Sequence, residues 1–305
     1  MLQRYLNPAV LAGLSGLDLV AKTVVDGFIA GMHRSPDFGF SQEFAEYRAY
    51  NEGDDLRHVD WNVYARTGKA FLKRYRGETN CQVTILLDAS RSMKFGSQPL
   101  DRKGTNHDRL EKIDYARYLA ASLAYMAHAQ RDAVGLIVFD DEVREYVRAS
   151  SRQGQLARIL NALNNAEPGT RTNFAKPFIT LQEFLRRRGL VVAISDFWDN
   201  PEAIIHTVAP LRFRGNELVL FHVLDPEEIR PKLRSPVLLE DLESGDAMEV
   251  SPDYTKHEYP AKVDAHIADL KTRAQAAGID YFLIDTSRPL DEALREYLAV
   301  RKGKL

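Results

Sequence analysis

Val83-Thr84-Ile85-Leu86-Leu87 runs without a break into Asp88, and Ser90 and Ser92 follow at alternate positions. A short, unbroken apolar run suits a strand buried on both faces, as in a parallel sheet covered by helices. Asp88 then falls at the strand's carboxyl end, where open α/β sheets place their ligands. One carboxylate and two hydroxyls from a single tight loop are all hard oxygen donors. That is the ligand chemistry of a cation such as Mg²⁺.

Asp-x-Ser-x-Ser alone is a weak signal, and two later stretches strengthen it. Glu167-Pro168-Gly169-Thr170-Arg171-Thr172-Asn173 is a turn-rich loop that presents Thr172 at the start of a helix. Leu190-Val191-Val192-Ala193-Ile194-Ser195-Asp196 is a second apolar run ending in an aspartate. In this order the motifs resemble a von Willebrand factor A domain and its metal-ion-dependent adhesion site. Carried over by position, the resemblance implies Asp88, Ser90, Ser92, Thr172 and Asp196 as ligands of Mg²⁺ or Mn²⁺. The competing reading makes both aspartates helix N-caps and the serines loop hydrogen-bonders.

Strands alternate with helices through the rest of the chain. Arg109 to Arg131 is alanine-rich, with Ile113, Ala116, Ala120, Leu123 and Ala127 at helical spacing. Ala133 to Phe139 reads as a buried strand, and Val143 to Val147 alternates like a half-exposed antiparallel edge. The acidic triplet Asp140-Asp141-Glu142 between them reads as a solvated hairpin tip. Helices are expected over Gln153 to Leu163, Asn173 to Arg187 and from Pro201, and a strand over Glu217 to Leu224. Residues 225 to 259 are rich in proline and acid and read as an insertion with a hairpin, Val237–Glu240 against Met248–Val250. Lys262 to Ala276, Asp280 to Ile284 and Leu290 to Val300 close the chain as helix, strand and helix.

The expected fold is α/β: a Rossmann-like, doubly wound, mostly parallel sheet of the von Willebrand A kind with one antiparallel edge strand. The strands ending in Asp88 and Asp196 are expected to be neighbours. An N-terminal helical and extended region over residues 1–80 precedes this sheet domain, which takes residues 81–305.

Composition narrows the function. A formal net charge of -2 over 305 residues gives no electrostatic case for nucleic acid. The single cysteine, Cys81, allows no intrachain disulfide and points to a reducing, cytoplasmic setting. Val10 to Met32 is apolar, but Asp18, Lys22 and Asp26 share one helical face, so an amphipathic helix packed on protein is expected, not a membrane span.

Between that helix and the first strand lies Tyr-x-x-Gly-Asp-Asp-x-Arg-x-x-Asp-Trp followed by Ala-Arg-x-Gly. Its residues are Tyr50, Gly53, Asp54, Asp55, Arg57, Asp60, Trp61, Ala65, Arg66 and Gly68. Here the chain resembles the bacterial family known as domain of unknown function 58. The mixed charges read as an ion-paired scaffold clamping the N-terminal region to the sheet, with Trp61 as a buried aromatic within it.

That resemblance implies a von Willebrand A-like domain working beside a MoxR-type AAA+ ATPase and a client protein. Many members carry N-terminal transmembrane helices; none is expected here, with peripheral membrane association as the form any attachment would take. The implied activity is non-enzymatic: a cation with an open position grips an acidic side chain of a partner. The rival is a Mg²⁺-dependent hydrolase of the haloacid-dehalogenase type, which also ends a strand in a catalytic Asp. Its first motif needs a second Asp as general acid, and the hydroxyl of Ser90 stands at that position.

Overall fold

The computed structural model describes residues 21, 22, 25, 46–49, 61–74, 82–99, 109–169, 177, 178, 188–213, 215–241 and 245–302. Ala21 and Val25 are helical and buried while Lys22 is exposed, as the amphipathic pattern requires; Ala21 joins the main core. The rest of that helix lies outside the described residues. β1 (Glu46–Ala49) pairs antiparallel with β2 (Phe71–Arg74) in a two-stranded sheet of their own, and α1 (Trp61–Thr67) lies between them in sequence.

The central sheet begins with β3 (Gln82–Asp88). A 3₁₀ turn over Arg91–Lys94 and a small bridge between β4 (Gln98–Pro99) and β5 (Arg109–Leu110) lead into α2 (Lys112–Ala129). Then come β6 (Ala133–Phe139), β7 (Val143–Ser150), α3 (Gln155–Asn164), β8 (Leu190–Ser195), α4 (Pro201–Phe213) and β9 (Glu217–Leu224). The short α5 (Pro226–Ile229) and the hairpin of β10 (Val237–Glu240) and β11 (Ala247–Val250) precede α6 (Pro252–Ala276), β12 (Asp280–Asp285) and α7 (Leu290–Lys302).

The six-stranded sheet has the order β12-β9-β8-β3-β6-β7. All pairs are parallel except β6 with the edge strand β7. This is the expected doubly wound architecture, and its strand order explains the site. From β3 the chain first builds outward through β6 and β7. It then returns to the other side of β3 with β8 and builds the opposite way. The crevice between β3 and β8, at the carboxyl ends of these strands, is therefore the switch point.

Side chains alternate across the sheet and divide the core into two layers. Ile85 and Leu87 face α2, whose Ala116, Ala120 and Ala124 present a small-residue surface that lets the helix sit close; Leu163 of α3 and Leu294 of α7 complete this layer. Leu86, Val191 and Ala193 face the other way, onto Ile204, Val208 and Leu211 of α4 and Leu270 of α6. Each fully buried leucine or isoleucine contributes about 1.5–3 kcal/mol relative to exposure, so these layers fix β3 and β8 rigidly.

Three expectations need correction. α2 starts at Lys112, because Arg109 and Leu110 are taken into the β4–β5 bridge. α6 starts at Pro252, ten residues before Lys262, with the Ser251 hydroxyl accepting from the Tyr254 N–H as its N-cap. Pro252 suits a first helical position, and the helix tolerates Pro260 in its interior, so prolines that read as an extended insertion belong partly to a helix. The hairpin itself forms as expected. Third, Trp61 is 57% exposed and meets Tyr64 edge-on with ring centroids 5.9 Å apart, so it is not a buried clamp. Arg57 and Asp60 lie outside the described residues.

Candidate metal centre

β3 and β8 are hydrogen-bonded neighbours, Leu87 opposite Ile194, and so they deliver Asp88 and Asp196 to the same end of the sheet. After Asp88 the backbone turns sharply. The Ser90 N–H donates to Asp88 Oδ1 at 2.8 Å, and the Ala89 N–H to the Phe139 carbonyl at 2.7 Å. This turn brings Ser90 Oγ within 3.0 Å of Ser92 Oγ. Asp88, Ser90 and Asp196 are buried, and Ser92 is half-buried. Asp88, Ser90 and Ser92 thus form one cluster, with Asp196 beside it.

Thr172 lies outside the described residues. The chain on either side of it returns to this end of the sheet. The Gly169 N–H donates to the Ala89 carbonyl at 2.6 Å, and Phe178 packs edge-on against Phe139 at 5.5 Å. A side chain at Gly169 would collide with the Asp140 carboxylate, so the loop can approach this closely only with glycine there. Asp140 itself corrects the expectation of a solvated acidic tip. It is buried, and its carboxylate accepts from Arg144 Nε at 2.7 Å and from the Glu142 N–H at 3.0 Å.

The electrostatics are those of a site with too little positive charge. Burial, and then the neighbouring Asp196, push Asp88 up to about 7, against the hydrogen bonds from Ser195 and Ser90. Among the described residues no cation pairs with Asp88. Asp196 is served differently: its Oδ2 accepts from Lys112 Nζ at 2.7 Å, and the same ammonium donates to Glu228 Oε1 at 2.6 Å. Burial works against the charge on Lys112, but the two carboxylates outweigh it and hold its pKa above the ordinary lysine value. Asp196 and Glu228 thus share one ammonium while Asp88 has none, leaving two formal negative charges when all three carboxylates are ionised.

That imbalance, with carboxylate and hydroxyl oxygens as donors, fits a hard divalent cation. Among the described residues no group of three or more His, Cys, Asp and Glu is placed to hold a metal, so a cation here depends on the hydroxyls.

The far side of the site is aromatic. Phe197, directly after Asp196, is buried with φ of 46°, a left-handed conformation that costs a non-glycine residue about 1–2 kcal/mol. Its N–H donates to Ser195 Oγ at 3.0 Å, and its carbonyl lies 3.1 Å from His266 Nε2. Such strain is retained where the surroundings over-determine it, commonly at functional sites. Trp198 comes next, 38% exposed, with its ring stacked on His266 at 5.1 Å. Behind it His222 is buried, its Nδ1 2.6 Å from the Tyr281 hydroxyl. Burial, and then His266, push His222 down to about 3.

Lys112 and Glu228 were not singled out by sequence reasoning. One signal was present: Lys112 opens a helix, where the macrodipole already disfavours a cation. Glu228 sits in the stretch read as insertion, and it closes a capping box with Asp225 at the start of α5.

A mostly parallel, doubly wound sheet with clustered oxygen donors at its switch point defines an α/β domain whose candidate site lies on the loops that follow β3, β8 and β9. The chain belongs to the family described as Protein of unknown function DUF58, whose model matches residues 46–269. An uncharacterised protein of Mycobacterium tuberculosis is 28% identical over 306 residues, covering 98% of this chain and 92% of that protein. Among solved structures, the conserved hypothetical protein BatB from Bacteroides thetaiotaomicron superposes with a TM-score of 0.47 at 13% identity, covering 73% of this chain and 99% of that one. The SpRpn10 VWA domain gives 0.42 at 11% identity, covering 70% and 94%. No described helix is long and apolar enough to cross a membrane.

Proposed function

We propose that this chain is a non-enzymatic, divalent-cation-dependent protein-binding adaptor that works with a MoxR-type AAA+ ATPase on client proteins or complexes. The observation that carries the reading is the convergence of Asp88, Ser90 and Ser92 beside Asp196, with negative charge left over. In the proposed state Asp88, Ser90, Ser92 and Thr172 hold Mg²⁺ or Mn²⁺, and Asp196 completes the set from β8. The cation supplies an electrophilic position for one further oxygen ligand. An acidic side chain of the partner fills it.

The chain's own residues then have separable roles. The Ser90 N–H and Ser195 hydroxyl aim the Asp88 carboxylate, one on each oxygen. Hydroxyl ligands carry no charge, so they leave more of the cation's field for the partner than carboxylates would. Trp198, exposed on the rim, offers the rigid aromatic surface that interfaces favour. Ser90 supports docking over hydrolysis, because a hydroxyl there cannot serve as general acid at neutral pH.

Binding of the purified chain to the cognate ATPase, measured by biolayer interferometry in Mn²⁺ and in EDTA, tests the reading. Affinity should fall in EDTA, in Ser90→Ala, and when one acidic residue of the partner is neutralised. A complex that forms equally well in EDTA would sink the metal-docking mechanism.

A further inference from the structure

Lys112 is a costly residue in a costly place. Its ammonium is buried, which by itself disfavours the charge. It stands at the first position of α2, where the helix dipole also opposes a cation. Its backbone N–H donates to the Phe95 carbonyl at 2.9 Å, just beyond the 3₁₀ turn that carries Ser92, so it cannot drift from the site. Within the fold it touches three of the loops that leave neighbouring strands. It begins the helix after β3, binds Asp196 after β8, and binds Glu228 after β9. A side chain needed only for packing would do as well with an apolar head. An ammonium fixed between two carboxylates beside a third replaces part of the positive charge that a bound ion would bring.

We propose that Lys112 is a tethered counter-cation of the metal site: it holds Asp196 with Glu228 so that the domain folds before a divalent ion arrives, and it lowers the site's affinity for that ion. This rests on the reading of Asp88, Ser90 and Ser92 as a cation site. It adds that the affinity is tuned by a residue outside the ligand set, so that a cation is held firmly only when a partner's carboxylate completes the site. Lys112 is thus a positioning residue, acting on the ion through Asp196.

The test is Mn²⁺ binding to the purified full chain, read by thermal shift in EDTA and across a Mn²⁺ titration. Lys112→Met keeps the length of the side chain and removes the charge. In EDTA its Tm should fall by several degrees, roughly the loss expected on breaking a buried pair. Mn²⁺ should recover a larger part of that loss than the shift it gives the wild type. The apparent affinity should rise about tenfold or more, the size of effect one adjacent charge has on another. Lys112→Arg should stay near wild type in its Mn²⁺ response. Glu228→Gln removes a carboxylate and leaves the ammonium to Asp196 alone, so Mn²⁺ affinity should fall; this variant decides the matter if Lys112→Met does not fold.

The outcomes separate the two ideas. A Lys112→Met response equal to a clear wild-type response overturns the tethered cation and leaves the metal reading standing. A response in Lys112→Met with none in wild type supports the tethered cation and confines firm binding by the native site to the partner-bound state. No response in either protein overturns both. With Lys112→Met unfolded, an unchanged affinity in Glu228→Gln overturns the role given to Lys112.

Discussion

Ser195 donates a 2.6 Å hydrogen bond to Asp88 Oδ2, joining the carboxyl ends of β8 and β3. Both side chains are buried, and the serine hydroxyl also accepts the N–H of the strained Phe197. Ser195→Ala leaves a buried carboxylate oxygen and a backbone N–H without this partner. Stability should drop by about 1–3 kcal/mol, read as a lower urea midpoint at unchanged slope. An unchanged midpoint would mean that water replaces the hydroxyl at no cost.

Mg²⁺ or Mn²⁺ should raise the Tm of the wild-type chain, because a ligand that binds only the folded state stabilises it by mass action. Asp88→Asn removes the charge at the centre of the cluster and should abolish the shift. Titration of Mn²⁺ against both proteins by differential scanning fluorimetry checks this. A shift of equal size in Asp88→Asn would place the ion elsewhere.

His222 sets an acid limit. Its folded pKa is pushed from 6.5 down to about 3, so between those values the unfolded chain takes up a proton that the folded chain refuses. Its contribution to stability is full above the upper value and is lost as pH falls, by roughly 1.4 kcal/mol per pH unit. Asp88, pushed up, slopes the opposite way over part of this range, so the comparison must be between variants. His222→Gln should lose stability less steeply than wild type on acidification from pH 6.5, in chemical denaturation at a series of pH values. Parallel slopes would show that a charged histidine is accommodated.

Gly169, three residues before Thr172 in sequence, is where the loop after α3 meets the Asp88 loop. Gly169→Ala drives a methyl group into the Asp140 carboxylate and displaces the N–H from the Ala89 carbonyl. Overpacking of this kind costs about 1–3 kcal/mol. The Mn²⁺-induced Tm shift should shrink as well, if the loop's position matters to the site. A stable variant with the full Mn²⁺ shift would detach this loop from metal binding.

Trp61, more than half exposed, sits on α1 with Tyr64. Its removal to alanine should change stability by less than about 1 kcal/mol, against the 3–5 kcal/mol of a buried aromatic. Equilibrium denaturation distinguishes the two, and loss of a partner at full stability would make α1 a contact surface.

The strands and their ends were legible in the sequence because burial on both faces leaves an unbroken apolar run. Val83–Leu87 and Leu190–Ile194 needed no other information, and Asp88 and Asp196 followed as the carboxylates at their carboxyl ends. The parallel alternation and the antiparallel β7 edge were legible for the same reason. What tertiary structure decided was which polar groups lose their water. Lys112 reads as an ordinary first-turn lysine, Glu228 as part of an acidic loop, and Asp140 as the tip of a hairpin. Only the meeting of three strand ends buries Lys112 between Asp196 and Glu228, and only the return of Gly169 covers Asp140. Trp61 erred in the opposite sense, an aromatic that hydrophobicity placed inside and the fold left in solvent. Apolar periodicity records a local preference for burial, whereas the pairing of a buried charge depends on residues brought from distant parts of the chain. No spacing in the sequence encodes that distance.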